Sequence, residues 1–125
     1  MRALKATVLA TILAVPFLVS VSSAQVAPEC PVAGILSTWG INSTGVFNVP
    51  SGGSCLFPLR IKGVIVSSSI VQLPQHGILR QLNESTFVYT ASAGYAGPET
   101  FSVQATGKGP TASGTSVITL VATVR

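Results

Sequence analysis

Aspartate is absent from all 125 residues, and the only carboxylate side chains are Glu29, Glu84 and Glu99. There is one histidine, His76, one tryptophan, Trp39, and only two cysteines. These shortages exclude several kinds of chemistry. A serine triad needs an acid to orient its histidine, and no G-x-S-x-G elbow carries a nucleophile here. A zinc site needs clustered His or Cys ligands, and no CxxC pair occurs. Neither enzymatic activity nor a cofactor nor a metal is expected.

Charge is also sparse. Seven basic and three acidic residues give +4. Arg2 and Lys5 fall in a segment expected to be removed, so five basic minus three acidic leaves +2 for the mature chain. Arg60, Lys62, Arg80, Lys108 and Arg125 are scattered along it. A nucleic-acid surface needs a dense basic stripe facing several phosphates, so none is expected.

The one long apolar run lies at the start. Arg2 and Lys5 form a positive region, Ala6 to Val21 is mostly apolar, and Ser22-Ser23-Ala24 supplies the small residues a signal peptidase reads. Residues 1–24 are therefore expected to be a signal peptide cut before Gln25. An uncleaved anchor is the alternative, but the run is shorter than the roughly 20 residues that span a bilayer, and Pro16 interrupts it. A lipoprotein would need a cysteine at the cut. The expectation is a secreted or periplasmic protein with no membrane attachment after cleavage.

In an exported chain, an even cysteine count reads as a disulfide, here Cys30 with Cys55. Free thiols or a metal pair are the competing readings. Closing a loop of about 26 residues stabilises a small domain by roughly 3.5 kcal/mol on the chain-entropy view.

No segment carries a capped helical period, whereas several alternate with a period of two. Cys55, Phe57, Leu59 and Ile61 share one face, with Arg60 and Lys62 on the other, and Pro58 suggests an edge or bulge. Phe101, Val103 and Ala105 alternate with Thr100, Ser102, Gln104 and Thr106. Ile118, Leu120, Ala122 and Val124 alternate with Val117, Thr119, Val121 and Thr123. Shorter runs cover 45–49, 64–73, 77–82 and 86–90. Turn residues fall between them at Pro50–Gly53, Pro74–Gly77, Asn83–Ser85 and Gly107–Pro110. The expectation is an all-β chain. It is an antiparallel Ig-like sandwich of about seven strands over 44–125, with Greek-key connections, preceded by an irregular segment over 25–43 tied by the disulfide. A small barrel is the alternative.

One stretch carries a family resemblance. Pro74-Gln75-His76-Gly77-Ile78-Leu79 is followed by Thr86-Phe87-Val88-Tyr89-Thr90, then by Gly94-Tyr95-Ala96-Gly97-Pro98-Glu99-Thr100-Phe101. This resembles the repeat of bacterial Ig-like and cadherin-like tandem domains, present here in one copy. The resemblance implies a packing motif built on Pro74, Gly77, Phe87, Tyr89, Gly94, Tyr95, Gly97 and Phe101, with Phe87, Tyr89, Tyr95 and Phe101 forming an internal aromatic cluster. Glu99 stands where the family has Asp, and Ala91 or Ser92 where it has Pro. Some cadherin-like relatives hold calcium through several Asp carboxylates, and a chain without Asp is not expected to do so.

Trp39, His76, Asn83 and Tyr95 are the candidate binding residues. His76 reads first as a turn residue and Trp39 first as a core residue. Asn42 and Asn83 each begin a glycosylation sequon, for which turn formation is the simpler reason. The Thr and Ser rows over 100–106 and 115–123 read as solvated faces, with a flat binding surface as the alternative. The functional expectation is a non-enzymatic exported module for protein binding, adhesion or structure at the cell envelope or surface. Edge-strand addition or loops around His76, Asn83 and Tyr95 would make the contact. A carbohydrate-binding module with Trp39 or Tyr95 as a stacking platform is the alternative.

Overall fold

A computed structural model describes residues 27–125; the expected signal peptide lies outside the described residues. Seven strands follow one another: β1 (Ser43–Val49), β2 (Ser54–Pro58), β3 (Val64–Gln72), β4 (Gly77–Asn83), β5 (Thr86–Ala91), β6 (Gly97–Lys108) and β7 (Ser113–Val124). They form a four-stranded sheet in the order β1-β7-β6-β3 and a three-stranded sheet in the order β2-β5-β4. The chain is an Ig-like β-sandwich.

Alternation of side chains decides which face of each strand is dry. On β7, Ser116, Ile118, Leu120, Ala122 and Val124 are buried while their neighbours are partly or fully exposed. On β6, Phe101, Val103, Ala105 and Gly107 face inward. Phe47, Phe57, Tyr89 and Phe101 form the ring cluster between the sheets, with Phe47–Phe57 centroids 4.7 Å apart and Tyr89–Phe101 stacked at 5.0 Å. Tyr95 does not join that cluster. It is half-buried in the β5–β6 loop and packs against the core from outside.

Two elements depart from the expected antiparallel pattern. β1 runs parallel to β7, from Ser43 opposite Ile118 to Val49 opposite Val124. The alternating apolar run after Cys55 also ends at Pro58, whose ring cannot donate a ladder hydrogen bond, so Leu59 and Ile61 belong to the crossing into β3.

Among the described residues, the segment 27–42 before β1 has no strand of its own, yet it is tied to both sheets. Leu56 donates its N–H to Pro28 at 2.8 Å. Cys30 is bonded to Cys55 with Cα atoms 5.3 Å apart. Ala33 and Val46 exchange backbone hydrogen bonds at 3.1 and 2.9 Å. This strap therefore runs from the free edge of β2 across to the free edge of β1. Beyond it, Trp39 turns inward and closes one end of the sandwich. Its indole N–H donates to the Lys62 carbonyl at 2.9 Å. Ser116, a polar residue on the dry face, accepts the Gly40 N–H and donates to the Thr38 carbonyl. Gly107 lies beneath the indole, and a Cβ there would overlap the ring.

Candidate functional site

The loops at the opposite end are organised by a residue the sequence reading left aside. Glu99 has the same parity as Phe101 and is only 3% exposed. Its two carboxyl oxygens accept separate N–H groups of the β3–β4 turn, from Gln75 at 3.0 Å and His76 at 2.7 Å. The Tyr89 hydroxyl donates to the same group at 3.0 Å, and the Thr100 N–H at 3.2 Å. A buried acid is tolerable when its lone pairs are met in this way. Glu99 thus locks the Pro74–Gly77 turn of one sheet crossing onto β6 of the other.

Burial foremost, then the hydrogen bond to Glu99 and the charge on that group, push the Tyr89 phenol above its ordinary range. A raised native value means that the neutral phenol's contribution is complete below about pH 10, the value of an unperturbed tyrosine, and is lost as pH climbs beyond it. Alkaline titration of denaturation midpoints should therefore show a loss of stability that begins near pH 10 and is reduced in Tyr89→Phe.

The structure brings His76 and Tyr95 together and keeps the other two candidates apart. The rings of His76 and Tyr95 stack with centroids 3.8 Å apart and 3° between their planes. The Tyr95 hydroxyl donates to the Pro98 carbonyl and closes its own loop, while Gly94 takes a φ of +87° beside it. Asn83 lies in the β4–β5 turn at the other end, where its Oδ1 accepts from the Ser85 N–H and hydroxyl. That is an Asx turn, which occupies the side chain locally. Trp39 is 3% exposed, so it presents no face to a sugar ring, and the reading of it as a stacking platform is corrected. Its burial should give an emission spectrum typical of an apolar site, with little quenching by iodide.

The surface that stands out is a side of the sandwich. The strap covers the edges of β1 and β2, but β3 and β4 are edge strands with no further strand beyond them among the described residues. This open side carries exposed aliphatic residues, including Val64, Val66, Val71, Leu73, Ile78 and Leu82, each 48–67% exposed. Isolated apolar residues at a surface are ordinary; here six lie on or next to two neighbouring edge strands, interleaved with the exposed polar residues Ser67, Gln72, Arg80 and Gln81. On β3, register shifts lie between Ile65 and Ser67 and between Ile70 and Gln72, so the bulged residues Val66 and Val71 turn outward. On β4, pairing with β5 is regular from Gly77 to Gln81, which leaves a straight free edge. Ser68 and Gln81 meet in the gap between the two edges at 2.7 Å and close the core there.

Compared with known proteins, the chain matches no family model, no curated sequence and no solved structure.

Proposed function

We propose that this chain is an exported, non-enzymatic Ig-like module that binds another protein through the open side formed by β3 and β4. The observation that carries the reading is the asymmetry of edge protection. One pair of sheet edges is covered by a strap and fixed by a disulfide, while the other pair is bare and apolar. Exposed edges invite pairing with other chains, and proteins that do not use them usually block them with charge or cover. Arg80 is the one charged side chain on β4 and stands between Ile78 and Leu82. The partner that fits is an extended segment with alternating aliphatic side chains and an acid to meet Arg80.

The disulfide suits an oxidising compartment, and the Gly94–Phe101 spacing supports kinship with Ig-like and cadherin-like surface domains. The test is photocrosslinking in the native host, with a photoreactive residue at Ile78, Val66 or Asn48. A defined protein captured from positions 78 and 66, absent from 48 on the strapped side, and lost in Leu82→Lys would support the reading. Equal or no capture at all three positions would defeat it. Because Leu82 is 52% exposed, Leu82→Lys should shift stability by no more than about 0.5 kcal/mol, so loss of capture would not reflect unfolding.

A further inference from the structure

The hydrogen bonds around β5 fix which way the backbone of β4 points. The Ala91 N–H donates to the Gly53 carbonyl at 2.9 Å, toward β2, and the Ser92 N–H donates to the His76 carbonyl at 3.0 Å, toward β4. Successive residues of a strand send their backbone groups to opposite sides. On β5, Thr90 and Val88 therefore bond to β4, where their partners are Ile78 and Arg80. The intervening residues Gly77, Leu79 and Gln81 direct their N–H and C=O groups to the open edge. Three residues free in this way are a template for another strand. The strand with the same pattern that is always at hand is β4 of a second copy.

A two-fold axis would pair β4 with itself in antiparallel fashion, and the position of the axis sets which side chains meet. Centred on Leu79, the pairing uses all three free residues of each copy, with Gly77 facing Gln81 of the second copy. Arg80 then lies across from Ile78 and diagonal to the other Arg80. Centred on Arg80, the pairing matches Ile78 with Leu82, each more than half exposed, and sets the two guanidinium groups directly opposite. Centred on Ile78, the ladder runs into the Pro74–Gly77 turn, where the Gln75 and His76 N–H groups are already bonded to Glu99. An axis beyond Arg80 carries the ladder past the register shift between Gln81 and Asn83 into the β4–β5 turn. Every alignment that stays on the regular strand thus brings the two Arg80 side chains opposite or diagonal to one another.

We propose that Arg80 is the residue that bars a second copy of this chain from the β4 edge and reserves it for a different chain. The inference rests on the reading of β4 as a pairing edge. Like charges opposite one another on paired strands are destabilising, and diagonal neighbours remain within reach of long side chains. The guanidinium is charged at every accessible pH, so no change of pH relieves the contact. Among the described residues, Arg60 has Glu29 as its ionic partner, whereas Arg80 is exposed and pairs with no acid. An acid on a foreign segment would turn the same charge from repulsion into attraction. One side chain thereby rejects self and selects the partner.

The experiment is sedimentation equilibrium of the disulfide-intact protein, of Arg80→Val, of Arg80→Glu, and of an equimolar mixture of wild type with Arg80→Glu. Matching thermal unfolding midpoints verify that each variant folds. Wild type and Arg80→Glu should each remain monomeric, because both keep like charges at the axis. Arg80→Val should form a dimer with a dissociation constant at least about tenfold below that of wild type. The mixture should form a one-to-one heterodimer, because arginine there meets glutamate. In both dimers, hydrogen exchange at the Gly77, Leu79 and Gln81 amides should slow, while the Ile78 amide, already bonded to β5, stays as it was. A wild-type dimer as tight as that of Arg80→Val, or dimers without this exchange pattern, would overturn the inference. So would a monomeric mixture, even beside an Arg80→Val dimer, since that would report added hydrophobicity and not relieved repulsion. Capture of a host protein at position 78 together with a monomeric mixture would leave the binding surface standing without this role for Arg80. A heterodimer with no captured host protein would do the reverse.

Discussion

Replacing Glu99 with alanine should lower the free energy of unfolding by about 4 kcal/mol, read as a shift of the urea midpoint with an unchanged slope. The size follows from what the carboxyl group holds. The N–H groups of Gln75 and His76, the Tyr89 hydroxyl and the Thr100 N–H all converge on it. Removal leaves several donors without an acceptor near the dry interior, each costing about 1–3 kcal/mol unless water enters. Water can reach the turn donors more easily than Tyr89, so the estimate sits below the full sum. Glu99→Gln should cost less, about 2 kcal/mol, because one carbonyl oxygen remains while the amide nitrogen faces donors. Glu84→Ala, at an exposed turn position, should stay within about 0.5 kcal/mol and serves as the control. If Glu99→Ala is as mild as that control, Glu99 is not the fastening between turn and sheet.

Opening the Cys30–Cys55 bridge should cost about 3.5 kcal/mol, measured as the difference in denaturation between oxidised protein and the Cys30→Ala/Cys55→Ala double variant. The two cysteines are 25 residues apart, and the loop between them contains all of β1. Without the bridge, the unfolded chain regains the freedom that cross-linking had removed. The folded state changes too. The strap keeps the Leu56–Pro28 and Ala33–Val46 hydrogen bonds, the exposed Glu29–Arg60 pair, and the anchors around Trp39 through Lys62 and Ser116, all of them non-covalent. Hydrogen exchange at the Val46 amide should therefore accelerate far more than at Leu120, and the uncovered edges of β1 and β2 should make the variant prone to self-association. Equal exchange at both positions would show that the strap does not depend on the bridge.

The sheet-forming segments were readable because strand burial is local information. Phe101, Val103 and Ala105 alternate with polar residues, as do Ile118, Leu120 and Ala122, and that parity fixes which side is dry before any partner is known. Which strands pair is not local. Nothing within residues 43–49 says that they lie parallel to the last strand of the chain. Glu99 shares the parity of Phe101, but the alternating run reads as such only from Thr100 onward, and an acid on a dry face is interpretable only once its donors are in place. The Trp39 segment lacks a period because its burial comes from one ring inserted beneath a turn, not from a repeating face. The stacking of His76 on Tyr95 joins residues 19 positions apart through two separate loops. The open side was invisible for a further reason: edge status depends on what the rest of the chain fails to cover.

The covalent link between the strap and β2 also determines how tension crosses the domain. A pull applied at residue 27 and at Arg125 passes through Cys30 directly to Cys55 and leaves the enclosed loop, β1 included, slack. The load then falls on the packing of β2 and its sheet against β7. After reduction, the same pull is carried along residues 31–42 into β1. That strand lies parallel to β7 over seven residues, so the force shears the β1–β7 hydrogen bonds together instead of peeling them apart one at a time. Thiol chemistry thereby selects which interface resists stretching, and the two redox forms should rupture at different extensions in a single-molecule pulling experiment.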